Sequence, residues 1–371
     1  MLIYFITFFL SFFFIYIANK YKTKIPKFIY YILVLIGLII PSLLAGFRAL
    51  GVGTDTKGYI NYTFYNCLNI NSISELIQYI KTADIEPLYI VFDFIITRFT
   101  TSVNVSYFFI EFLILLFIYI ACTKLKDTNK ISFSYLLFLI LFFNRSLNMC
   151  RQTIAISIML ISLKYIFERK LYKFLILFII AFLFHKTAIV LLPFYFFYDL
   201  FNSPGKKALL GKMIFLTLFF IAIILYKQIL MIFINAGILE NKYLYYINNL
   251  TSNISSFDTT IKIITGLIIL FFSNYMKKHE NNCNYYIMSY IIGLFLLILG
   301  IYFGYGQRLA YYFEYQIIFL LPELVSICYK KVDKFFVAML IIILSLFYSY
   351  VCYQVFGWDE TVPYKSITQN K

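Results

Sequence analysis

Charge is what this 371-residue chain lacks most. Charged residues make up 13% of it, about half the roughly 25% of a soluble domain. With 62% hydrophobic residues and a mean hydropathy of +0.84, it cannot cover a core with polar surface in water. Its apolar runs lack the apolar–polar alternation of outer-membrane strands, which excludes a barrel. The six cysteines form no CxxC and are scattered through spans and loops, so they read as small apolar side chains rather than disulfides or metal ligands. Residues 1–18 have neither a basic n-region nor a small-residue cleavage site and read as a retained first span. No HExxH, Walker A loop or DxD motif occurs in the segments assigned below to the outer face, so chemistry there is expected to need no nucleotide, metal or other cofactor.

What is present is a series of apolar stretches near the roughly 20 residues that span a bilayer. The expected fold is all-α: one polytopic membrane domain over residues 1–371 with about twelve transmembrane helices. Leu2–Ala18 leads to Lys20, Lys22, Lys24 and Lys27, and Phe28–Phe47 returns. Ser106–Cys122, Ile131–Phe143 and Arg151–Phe167 follow, then a stretch over 174–200 read as two short helices meeting near His185. Ile214–Ile234, Ile261–Met276, Tyr285–Phe303, Leu309–Cys328 and Phe335–Phe356 complete the set. The lysine clusters all fall on one face, which the positive-inside rule makes cytoplasmic. Both termini are then extracytoplasmic. The net charge of +15 is accounted for by these loops and does not point to nucleic acid. Two outer regions result, over 48–103 and 235–260. The first carries the short apolar segment 87–99, which opens on Pro87 and reads as a re-entrant or interfacial helix.

The arginines break the lysine pattern. Of Arg48, Arg98, Arg145, Arg151, Arg169 and Arg308, only Arg169 falls on the lysine side. Outward arginines need a separate cause, and the guanidinium fork binds phosphate in bidentate fashion. Arg48 leads into Gly51-Val52-Gly53-Thr54-Asp55, where glycines permit backbone N–H groups to face an anion. Arg145 and Arg151 bracket one hairpin tip. His185 lies between two apolar segments and requires a partner or water there. Arg308 precedes Tyr311 and Tyr312. Tyr59, Tyr311 and Tyr312 are candidates for stacking on sugar rings, although tyrosine is also an ordinary interface residue.

At these residues the chain resembles the EpsG family of bacterial exopolysaccharide proteins, related in role to Wzy polymerases. The resemblance rests on Arg48 with Val52-Gly53-Thr54-Asp55 and Tyr59, on Glu86-Pro87-Leu88-Tyr89, and on Arg151-Gln152 with Ala155. Phe184-His185-Lys186-Thr187-Ala188 and Arg308 before Tyr311-Tyr312 and Pro322 extend it across nearly the whole chain. It implies a Wzy-like, GT-C-like membrane fold in the bacterial cytoplasmic membrane. The implied activity polymerises undecaprenyl-diphosphate-linked oligosaccharides at the outer face, without a metal. The implied partners are that lipid-linked substrate, membrane lipids and other polysaccharide-assembly proteins. In this reading Arg48, Arg145, Arg151 and Arg308 bind diphosphate, and His185, Asp55 and Glu86 are the candidate bases. A flippase for the same lipid-linked units and an O-antigen-type ligase are the alternatives.

Overall fold

The computed structural model describes residues 1–235, 255–300 and 304–370. Among them regular structure is helical throughout, with one isolated bridge between Arg48 and Ser366. The first unit comprises Met1–Ile189 and Phe335–Lys371, the second Val190–Lys334. In the first, α1 (Leu2–Lys20), α2 (Lys27–Gly46), α6 (Val103–Leu125), α7 (Thr128–Ser146), α8 (Cys150–Phe167) and α9 (Leu171–Phe184) are the main helices. Shorter ones precede α6: α3 (Asn61–Asn69), α4 (Ile73–Thr82) and α5 (Pro87–Thr97).

Burial on α1 falls on Tyr4, Phe8, Ser11, Ile15 and Ala18, a stripe at spacings of four and three that faces α2 and α7. Leu2, Ile6, Phe9, Leu10 and Phe13 stay exposed on the other side. Gly37 lets the two backbones close: a Cβ there would lie 2.7 Å from Ile15, and the Ser11 hydroxyl donates to the Gly37 carbonyl. The centre of this unit is α7, buried nearly all round. Surrounded by protein rather than lipid, it can carry Ser132, Ser134, Tyr135 and Asn144 inside.

Among the described residues six helices are long and apolar enough to cross a membrane: Leu2–Lys20, Lys27–Gly46, Val103–Leu125, Cys150–Phe167, Ser256–Met276 and Lys331–Val355. The expected count of twelve goes beyond these six, since several of the expected spans are shorter or broken. The 174–200 stretch divides at His185 into α9 and a 3-10 helix, Lys186–Tyr195. Ile214–Ile234 is replaced by α11 (Lys206–Ile224) and α12 (Tyr226–Asn235), after a five-residue α10 (Tyr198–Asn202). Beyond α13 (Ser256–Met276) and α14 (Cys283–Leu299), the expected span Leu309–Cys328 is two helices, α15 (Gly304–Glu314) and α16 (Ile317–Ser326). The last helix, α17, runs Lys331–Tyr350. Most of the expected outer region 235–260 lies outside the described residues, as do 301–303.

The region 48–103, expected on the outer face, is built rather than loose. Cys67, Ile70, Leu76 and Ile90 form a small core joining α3, α4 and α5. The Arg98 guanidinium donates to the carbonyls of Ile70 and Cys67, both at 2.9 Å, and ties the end of α5 to the end of α3. Ser72 caps α4 by accepting from the Glu75 N–H. Pro87 begins α5 where its missing N–H costs nothing.

Within the first unit the chain ends meet. The Tyr4 hydroxyl donates to the Thr361 carbonyl at 2.7 Å, and the N-terminal amine lies 3.3 Å from Gln354 Oε1. The lysine-rich loops lie at the far end of these helices, where Asn19 bonds Ser132 and Tyr30 bonds Tyr119.

Candidate functional site

Two polar clusters occupy the terminus-bearing end of the first unit, separated by the α7–α8 turn. The first is centred on Glu86, just before α5. One carboxylate oxygen is 2.7 Å from His185 Nδ1 and also accepts from the Lys186 N–H at 3.3 Å. The other oxygen pairs with Arg151 Nη1 at the first turn of α8. The Arg151 guanidinium lies over the Tyr59 ring, 3.9 Å from its centroid, and the Tyr59 hydroxyl meets Cys150 Sγ. Burial alone would raise the Glu86 carboxyl, but the His185 hydrogen bond and the Arg151 charge outweigh it and hold it at about 2. Burial pushes the Tyr59 phenol well above its ordinary range, so it stays neutral.

An ionised carboxylate only accepts, so the His185 proton facing Glu86 sits on Nδ1. In the neutral ring Nε2 then carries a lone pair, and Nε2 is buried with no hydrogen-bond partner. Arg151 Nε is likewise buried without one. The cluster thus presents a potential base and a cationic donor on two sides of one carboxylate. Such unmet groups are what a substrate would satisfy.

The second cluster lies around the turn Leu147–Met149 and is covered by the C-terminal segment. Arg48 is 2% exposed, stacks on Tyr107 with its guanidinium 4.4 Å from the ring centre, and donates from Nη1 to the Leu147 carbonyl. Arg145 pairs with Asp359 at 3.4 Å and faces the Trp358 ring. Asn148 joins three segments: it accepts from the Thr54 hydroxyl and the Asp55 N–H and donates to Asp359. Gly53 has φ +94, and a Cβ there would crowd Thr56 Oγ1 at 3.0 Å, so only glycine suits the turn. Its N–H does not face an open anion site; it donates to the Glu360 carbonyl at 3.2 Å. The Ala49 N–H meets the Lys365 carbonyl, and Ile367 N–H meets that of Phe47.

Glu86, Arg151, His185 and Tyr59 are therefore brought together, while Arg48, Arg145 and Asp55 belong to the covered turn. Arg308, Tyr311 and Tyr312 are in the second unit, on α15, where Arg308 is exposed and both tyrosines are buried. That unit also contains a buried Lys262 that donates to Asp258 at 2.9 Å and to Glu314 at 2.8 Å, linking α13 to α15. The Asp258/Lys262 spacing of four at the start of an apolar helix was the available sequence signal. For Asn148, Trp358 and Asp359 no local pattern exists. Among the described residues no group of three or more His, Cys, Asp or Glu is placed to hold a metal ion.

Fold and site together define an integral membrane protein of helices with a largely buried Arg–Glu–His cluster at one end of its first unit. The chain belongs to the EpsG family, whose family model matches residues 31–366. That family comprises Wzy-like polymerases, which places this chain among polysaccharide-polymerising membrane proteins in general. No curated protein and no solved structure shows a match.

Proposed function

We propose that this protein joins undecaprenyl-diphosphate-linked oligosaccharide units at the outer face of the bacterial cytoplasmic membrane, without a metal ion. The observation that carries the reading is the Glu86 carboxylate, with His185 held through Nδ1 on one oxygen and Arg151 on the other. A sugar hydroxyl of one unit attacks the anomeric carbon of the other. Its proton passes to His185 Nε2, and the anomeric C–O bond to the diphosphate breaks with its electron pair leaving on phosphate oxygen. Glu86 orients the imidazole and stabilises the imidazolium; at about 2 its own pKa is too low for it to be the base. Arg151 stabilises the charge developing on the departing diphosphate. Tyr59 holds the guanidinium plane.

Arg308, exposed on α15, remains a proposed diphosphate ligand, whereas Tyr311 and Tyr312 are buried and offer no open ring face to a sugar. Arg48, Arg145 and Asp55 act in this reading by supporting the turn that carries Arg151.

The test is elongation by the purified full-length chain in nanodiscs, given synthetic lipid-diphosphate repeat units and a chelator. Products longer than one repeat are expected. Failure to elongate with or without added metal, together with unchanged polymer length in a deletion strain, would remove the proposal. Single repeats trapped on the cytoplasmic side of that strain would instead favour a flippase.

A further inference from the structure

The outer region holds a cleft that the cluster above does not use. It has a volume of about 610 Å³ and lies between α3, α4 and the segment leading to Glu86. Ligand sites are of this size, about 300–1,000 Å³. Two tyrosines, Tyr62 and Tyr79, line it together with Asn66, Thr82 and Asp84. Tyr62 is 63% exposed, so its ring is available, and Asn66 donates to the Tyr79 hydroxyl at 3.1 Å, which fixes that side.

Aromatic faces beside an amide, a hydroxyl and a carboxylate are the chemistry that recognises a sugar. The C–H face of a pyranose packs on the ring while its hydroxyls bond the polar groups. A lipid chain would strip water from those same polar groups and offer no hydrogen bond in return. The cleft also has a firm base: its walls stand on the Cys67–Ile90 core and on the Arg98 clamp. Its last lining residue, Ile85, precedes Glu86, which bonds His185. We infer that this cleft is an oligosaccharide subsite that binds the glycan of a lipid-linked unit beside the reacting cluster. The inference rests on the polymerase reading for the identity of the glycan, but not for the binding itself.

The probe is the water-soluble repeat-unit oligosaccharide, released from its lipid diphosphate by mild acid. Its binding to the full-length chain in nanodiscs is followed by saturation-transfer NMR. Saturation of sugar ring protons is expected. Tyr62→Ala and Asp84→Asn, both at exposed positions, should weaken it at least about tenfold, whereas Tyr65→Ala, at an exposed tyrosine outside the cleft, should not. His185→Ala should keep glycan binding while losing elongation. Absence of a glycan signal, its displacement by lipid or detergent, or wild-type binding by both cleft variants would overturn the inference. Glycan binding by a chain that elongates nothing would leave the subsite standing and remove the polymerase reading.

Discussion

The two ends of one short turn treat arginine in opposite ways. At Leu147–Met149 the covered side holds Arg48 and Arg145, whose guanidinium groups are engaged by a backbone carbonyl, a tyrosine face and Asp359. A few residues on, Arg151 meets a carboxylate that also holds a histidine. Chemically these are the same cation at the same end of the molecule. Arg48 also keeps a buried Nε without a partner, so what separates the two is the partner each one has: Arg48 donates to a backbone carbonyl, and Arg151 pairs with a carboxylate that it shares with an imidazole.

The largest expected effects fall on the Glu86 cluster. Arg151→Ala should lower elongation by about 10²–10³-fold, the usual loss on removing one donor to developing negative charge. Arg151→Lys should not rescue it, because a compact ammonium cannot pair with Glu86 and cover the Tyr59 ring at once as the guanidinium does. His185→Ala should cost about 10²–10⁴-fold, as for loss of a general base. Arg48→Ala should instead reduce the amount of folded protein, with elongation per inserted molecule nearly retained. These are read by product length in nanodiscs after normalising for membrane insertion. Equal rate losses at Arg48 and Arg151 would erase the contrast.

How much of this could be read beforehand depends on the range of each interaction. The α1, α2, α6 and α8 spans, the break at His185 and the Pro87 start follow from local apolar length and local backbone chemistry. The Ser72-Ile73-Ser74-Glu75 cap of α4 was equally local but sits in a short polar segment where the hydropathy pattern gives no lead. The C-terminal cover was not legible at all. Asn148–Asp359 and Tyr4–Thr361 join residues hundreds of positions apart, and neither partner announces the other. The same holds for the fate of each arginine. Sequence placed them at helix ends, but which carbonyl, ring or carboxylate each one meets is settled by packing.

The next effect in size is a pH dependence. The Glu86 carboxyl has its pKa lowered from 4.5 to about 2, so the native state favours its ionised form. The stabilisation it contributes is fully present above about 4.5 and is lost as pH falls toward 2. Unfolding followed by tryptophan or tyrosine fluorescence across that window should show the loss in the parent chain and a smaller one in Glu86→Gln. An equal loss in both would mean the His185 and Arg151 contacts do not act on this carboxyl. On the covered side, Arg145→Ala and Asp359→Ala should each destabilise the fold, and the double variant should recover a coupling of about 0.5–3 kcal/mol.

The smallest effect sharpens the contrast from the covered side. Lys57 and Glu360 form a salt bridge at 3.1 Å, but their side chains are 61% and 56% exposed. Such a pair contributes about 0–1 kcal/mol and less as salt rises. What Glu360 gives the fold is its backbone carbonyl, which accepts from the Gly53 N–H and which no side-chain substitution removes. Glu360→Gln should therefore leave melting, insertion and product length within error of the parent chain at moderate salt. Gly53→Ala, which forces a Cβ into a φ of +94 beside Thr56, should lower the melting temperature measurably. If Glu360→Gln shortened the polymer without affecting the melt, a charge on the covered side would be taking part in the reaction. The division of labour between Arg145 and Arg151 would then have to be redrawn.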